Sequence, residues 1–312
     1  MNAARTLKKL ITNPTGALRR VKNISKDKIK LAREYTKFIS HPAYPEKIVN
    51  QNLIRFIGLR RVGNHAVLNW LEKQISVSNK SVFHINNVPC SQNPYEYFYQ
   101  RHLQYEKHLR TRLFLKRHAQ GRFDPHDTLI YSYEDFSLED ITSSAVESKE
   151  DLFYGKSLKK HDVLILRDPF NLIASRLKSG FIDVKSSGKN MMDLWLEAAR
   201  EFVGETNHLT RNKVCINFNR WTIDREYRIT IAQALEIPFS DAGKEDVRPF
   251  GGGSSFEGQQ HQGQGSAMKV LERWTHFVDD PVFRQYFDCP EVWKYSEAIF
   301  GVMPGTEQLR RG

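Results

Sequence analysis

Five short apolar runs recur along this chain with helix-period segments between them: LIRFIGL at 53–59, SVFHINNV at 81–88, DTLIYSY at 127–133, DVLILRD at 162–168 and KVCINFN at 213–219. The intervening periodicity predicts helices at about 64–75, 97–119, 170–179, 190–210 and 224–236. Strands covered on both faces read as continuous apolar runs, and parallel neighbours need a crossover long enough to hold a helix. The pattern therefore predicts an α/β fold with a mostly parallel central sheet flanked by helices. In such a sheet, ligands collect beyond the carboxyl ends of the strands, where the strand-to-helix loops converge.

The 312 residues, 40% hydrophobic and 27% charged, can build a sizeable core. We divide them into an extension over 1–50 and one α/β domain over 51–312, the latter including a Gly/Gln/Ser-rich loop at 241–268 and C-terminal helices. Cys90, Cys215 and Cys289 lie far apart with no CxxC pair, which points away from a disulfide framework or a cysteine zinc site and toward a reducing compartment. No stretch approaches the roughly 20 apolar residues of a membrane span, and MNAARTLKKLITNPTGALRR lacks the apolar centre of a secretory signal. The expected location is cytoplasmic, at most peripheral to a membrane.

Charge is uneven. Residues 1–40 hold eleven Lys/Arg against Asp27 and Glu34, so this segment carries +9 of the net +11. Leu7/Leu10/Ile11 and Leu31/Tyr35/Phe38 stand at helical spacing around Asn13-Pro14-Thr15-Gly16, predicting two short amphipathic helices. They read as a solvated extension, as a contact with an anionic membrane surface, or as an Arg-rich presequence. Nucleic acid is not the expected partner.

After the first run comes Gly58-Leu-Arg-Arg-Val-Gly-Asn-His65, with glycines at the spacing of the phosphate-binding pattern GxxxxGK[ST]. Two glycines let the backbone turn tightly and expose amides, and the following helix points its positive end into the same space. Asn64 and His65 replace the lysine and hydroxyl that handle a triphosphate and its magnesium, which argues against ATP or GTP hydrolysis. Arg60 and Arg61 retain the charge for an oxyanion. The fourth run ends in Arg167-Asp168-Pro169, Pro169 suits a first helical turn, and Ser175 follows two turns on. Arg167 and Ser175 can converge on one phosphate. In the late loop, Gly251 to Ser255 offer amides and hydroxyls for an anion.

The glycine loop with a basic residue, together with R-D-P-x-N-x-x-x-S at a second strand end, resembles the sulfotransferases that use 3'-phosphoadenosine 5'-phosphosulfate (PAPS). The loop is closest to that of the carbohydrate sulfotransferases. The resemblance covers about residues 51–240 in element order, and the loop departs from the common form at Val62, Asn64 and His65. It implies that Arg60, Arg61, Val62, Gly63, Asn64, His65 and Ala66 bind the 5'-phosphosulfate, and that Arg167 and Ser175 bind the 3'-phosphate. Gly252 and Ser254 take the place of a nucleotide-closing loop without its usual sequence.

The implied reaction moves a sulfuryl group to a hydroxyl or amine acceptor, a saccharide among them, without a metal. Arg61 and His65 would stabilise the leaving phosphate, His65 as a neutral donor because the helix dipole disfavours its cation. The carbohydrate relatives use a glutamate where this chain has Asn69. The expected base is therefore Glu134 or its neighbour Asp135, with His84 second. Trp70, Trp195, Trp221 and Trp274 read as core and suggest no substrate. The competing readings are a P-loop small-molecule kinase, with Asp168 as its metal ligand, and a non-catalytic scaffold that binds through the basic N-terminus.

Overall fold

The computed structural model describes residues 47–105, 109–247, 254–258 and 260–310. The two expected N-terminal amphipathic helices lie outside the described residues. Five strands form one sheet: β1 (Ile48–Gly58), β2 (Val82–Ile85), β3 (His126–Glu134), β4 (Lys156–Leu166) and β5 (Val214–Asn217). Their order is β2-β3-β1-β4-β5, and every neighbouring pair is parallel.

Helix α1 (Asn64–Val77) connects β1 to β2, and α2 (Pro94–Tyr105) and α3 (Leu109–Ala119) connect β2 to β3. Three short helices, α4 (Leu138–Ile141), α5 (Ser144–Glu147) and α6 (Glu150–Tyr154), precede β4, while α7 (Pro169–Ser179) and α8 (Met191–Phe202) lead to β5. Beyond β5 lie α9 (Phe218–Ile223), α10 (Arg225–Ala234), α11 (Pro281–Gln285) and α12 (Pro290–Phe300).

Strand β1 is central. Gly58 pairs with Glu134 of β3, and Ile57 pairs with Leu164 of β4, so the three strands end nearly level. Their following loops therefore open at one edge. The last six residues of β1 and of β4 are buried, as strands sandwiched between helices require. Trp70, Trp195, Trp221 and Trp274 belong to the core, Trp70 meeting Trp221 edge-on at 6.1 Å.

Several elements differ from expectation. The helix expected over 97–119 is two, α2 and α3. The helix expected to reach 210 stops at Phe202, where Gly204 takes φ 81° and the Glu201 carboxylate accepts from the Leu209 and His208 amides and the Thr206 hydroxyl. β4 starts earlier, at Lys156, because the polar KSLKK stretch pairs with the first half of β1. β1 itself starts at Ile48, so the boundary expected at 50/51 falls inside a strand. Among the described residues no helix is long and apolar enough to cross a membrane.

Candidate functional site

The loop after β1 folds back on itself. A Cβ on Gly58 would lie 2.4 Å from Asn64 Oδ1 and 2.6 Å from Ile165 Cγ2. Gly63 caps α1 at φ 111°, and a Cβ there would stand 2.2 Å from the Phe218 ring. Arg61 is also left-handed, at φ 70°. The sequence at 58–63 thus sets a tight turn that brings the first turn of α1 to the strand ends, where the Ala66 and Val67 amides donate to the Gly63 carbonyl at 3.0 and 3.2 Å.

Asp135 holds this turn. Its carboxylate accepts from the Arg60 amide at 2.9 Å and from both terminal nitrogens of Arg176 at 2.6 and 3.3 Å, while Arg176 also donates to the Arg60 carbonyl. Both side chains of the Asp135–Arg176 pair are fully buried. Asp135 is therefore a brace between β3, α7 and the loop, and of the two carboxylates expected as base, Glu134 is the one that lines the cavity. Asn64 turns its amide inward, donating to the Leu59 carbonyl and to Glu134 Oε1, each at 3.0 Å. Val62 is buried in the core and its amide bonds Leu59 within the turn, so it offers the ligand space neither side chain nor amide.

Three arginines converge beside the loop. Arg167, immediately after β4, is 1% exposed and donates to the Arg61 carbonyl, to Ser175 Oγ at 3.1 Å and to the Val270 carbonyl. Its own carbonyl accepts from the Trp195 indole at 2.9 Å, which fixes the backbone there. Arg273, from the late segment, also reaches Ser175 Oγ, at 3.2 Å, and donates to Ser254 Oγ at 2.8 Å. Arg61 donates to Ser255 Oγ at 2.8 Å.

This assembly is rich in positive charge. Burial, with Arg273 beside it, pushes Arg167 down to about 9, against a smaller opposing pull from Asp168. Burial pushes Arg273 down to about 10, only partly offset by Glu257. Burial also lowers Arg61. The Nε atoms of Arg167 and Arg273 are buried with no hydrogen-bond partner. Both guanidinium groups remain protonated at neutral pH, so the depression measures how poorly their charge is matched.

A cavity of about 550 Å³ runs across the strand ends. On the β4–β5 side Arg167, Phe218, Ser254, Val270 and Arg273 line it; on the β2–β3 side Asn87, Arg101, Glu134 and Phe181 do. Arg60, Arg61, Gly63, Asn64, His65 and Ala66 form the wall between them. A smaller cavity of about 280 Å³, lined by Trp221, Thr222 and Lys244, adjoins the β5 side and shares Ala66, Phe218 and Met268 with the larger one.

His84 does not reach this space. It sits on β2 with Nδ1 2.7 Å from Glu72 Oε1 of α1 and is absent from the cavity wall. Asn69 donates to the Gly243 carbonyl and to Asp246, tying α1 to the late segment. Gly252 lies outside the described residues. The described part of 241–268 contributes Asp246, Val247, Ser254 and Met268 to the wall. Asp168, the kinase reading's metal ligand, is fully buried as the cap of α7, both oxygens accepting from Asn171.

Arg273, Phe218, Asn87, Arg101 and Phe181 were not singled out from sequence. Arg273 lies 98 residues from Ser175, and the only local hint is a basic residue in the segment after the glycine-rich loop. No protein-family model matches the chain, and no curated protein matches it.

Proposed function

We propose that this protein is a PAPS-dependent sulfotransferase that passes a sulfuryl group to a hydroxyl acceptor. One observation carries the reading: Arg167 and Arg273, both buried with unpartnered Nε atoms, meet at Ser175 beside the glycine turn. Among the described residues Glu257 Oε2, 3.3 Å from Arg273 Nη2, is the one carboxylate paired with these two cations, and the remaining positive charge suits a dianionic group, while a second anion fits at the turn. Two phosphate-sized sites, one at a glycine turn and one at Arg167–Ser175, suit a 3',5'-bisphosphorylated nucleotide better than a linear triphosphate.

When bound, PAPS supplies a sulfuryl group on a phosphate leaving group. Arg167, Arg273, Ser175 and Ser254 hold the 3'-phosphate, while Arg61, the turn amides and the positive end of α1 stabilise the charge that develops on the 5'-phosphate. His65, next to Asn64 at the start of α1, acts as a neutral donor to that group. Glu134 takes the acceptor proton. Asn64 holds Glu134 Oε1, and Oε2 stands 4.0 Å from Arg60 Nε, so the carboxylate is oriented without a close ion pair.

The test is a thermal-shift titration of the full chain with 3',5'-bisphosphoadenosine, beside ATP with magnesium and adenosine 5'-phosphate. At about 100 times its dissociation constant, a ligand of the folded state adds about 2.7 kcal/mol. Selective stabilisation by the bisphosphate is expected without metal. Stabilisation only by ATP with magnesium would move the reading to a kinase, and no response to either would favour the scaffold.

A further inference from the structure

Resting on that reading, we infer that the acceptor is a hydroxylated ring that already carries a negative group: a carboxylate, phosphate or sulfate near the hydroxyl that is sulfated. With the nucleotide on the β4–β5 side, the acceptor is left the β2–β3 side of the cavity. Of the charged side chains that line this half, Arg60 and Arg101 are cationic and Glu134 is the carboxylate. Lys185 stands directly behind, its ammonium donating to Asn87 Oδ1 on the wall and lying 4.6 Å from the Phe136 ring. Asp135 adds no unmatched negative charge, because the fully buried Arg176 pairs with it, the Arg60 amide donates to it, and Arg60 Nε stands 3.5 Å from its Oδ2. Among the described residues, three cations thus face one carboxylate that the chemistry itself uses.

The arrangement is directional. Arg60 is anchored through its amide to Asp135, and its guanidinium lies 5.3 Å from the Phe181 ring. Phe181 is 39% exposed and follows the left-handed Gly180 that ends α7, so one ring face is offered to the cavity mouth. Arg101 comes from α2 on the opposite flank, where the neutral Tyr97 hydroxyl is 3.2 Å away. A ring seated on Phe181 can turn one hydroxyl to Glu134 and a neighbouring anionic substituent to Arg101 and Lys185. A neutral acceptor closing this half would strip water from the cations without replacing it, and a cationic amine would be repelled. An anion replaces the lost water with charge-assisted hydrogen bonds.

The test uses the full chain, 4-nitrophenyl β-glucoside as neutral probe, and its glucuronide, 6-phosphate and 6-sulfate counterparts, which share ring and aglycone. Binding is measured calorimetrically in saturating 3',5'-bisphosphoadenosine, and sulfate transfer is measured with PAPS. At least one anionic probe is expected to bind and to react at least tenfold better than the neutral one. Arg101→Gln and Lys185→Gln are each expected to shrink that preference about tenfold through KM and acceptor affinity, with the thermal shift by the bisphosphate unchanged. Equal or better use of the neutral probe, no binding of any anionic probe, or a preference untouched in both variants would overturn the inference while the bisphosphate shift still upheld the nucleotide site. Absence of that shift in the unaltered chain would overturn both.

Discussion

Arg167 and Arg273 donate to the same hydroxyl, Ser175 Oγ, at 3.1 and 3.2 Å, although 106 residues separate them and both carry positive charge. Glu257, 3.3 Å from Arg273, offsets one of the two charges, and on the proposed reading the 3'-phosphate offsets the other. Replacing either with alanine is expected to weaken 3',5'-bisphosphoadenosine binding by about 10- to 100-fold, the range of a lost charge-assisted hydrogen bond. Affinity for adenosine 5'-phosphosulfate, which lacks the 3'-phosphate, should fall less than about threefold. Calorimetry with both nucleotides decides the point, and equal losses would separate these arginines from the 3'-phosphate.

Glu134 is the only acidic side chain on the β2–β3 wall of the cavity among the described residues, and Asn64 orients it at 3.0 Å. Glu134→Gln preserves shape and the contact with Asn64 but removes the proton acceptor. Turnover should fall by about 10²- to 10⁴-fold with bisphosphate affinity nearly unchanged. Single-turnover transfer measured beside nucleotide binding separates the two effects, and unchanged turnover excludes Glu134 as base.

What could be read from the sequence was local. The sheet followed from apolar runs long enough to be buried on both faces, and the glycine turn and Arg167 through Ser175 followed from residues adjacent in sequence to strand ends. Contacts between distant segments were hidden. Nothing near His84 reveals that Glu72, about two turns of α1 beyond the site, holds its imidazole, and nothing near Asp135 reveals Arg176. Arg273 reaches Ser175 only because the late segment folds back across α7, where Asn171 donates to the Leu271 carbonyl. The end of α8 needed the Glu201 carboxylate to gather the amides beyond it, a contact no periodicity contains.

Gly63 combines a left-handed backbone with a ring 2.2 Å from where a Cβ would stand. Gly63→Ala is expected to cost roughly 2–4 kcal/mol, from backbone strain and overpacking together. Pairing it with Phe218→Leu should recover the packing part and leave the strain. Urea denaturation of the two single variants and the double one reads this directly; additive losses in the double variant would show that the Phe218 contact is not what excludes a side chain.

His118 is buried among Tyr95, Phe114 and Phe123, with its ring 3.9 Å from that of Phe114. The Asp124 amide donates to Nε2 at 3.2 Å and Nδ1 lies 3.0 Å from the Phe114 carbonyl, an arrangement that suits the neutral ring with its proton on Nδ1. Burial pushes its pKa down to about 4, outweighing the opposite pulls of the Phe114 carbonyl and Asp124 and aided by His126 and Arg117. The unfolded chain, with an ordinary histidine, binds a proton that the folded one refuses between about pH 6.5 and 4. Stability is therefore full above 6.5 and is lost as pH falls through this window, by about 3 kcal/mol at most from this group. His126 and His161, also lowered by burial, add slope of the same sign. Denaturation midpoints from pH 7 to 5 should fall more steeply for the unaltered chain than for His118→Gln, which cannot titrate; parallel slopes would mean that His118 is not the group responsible.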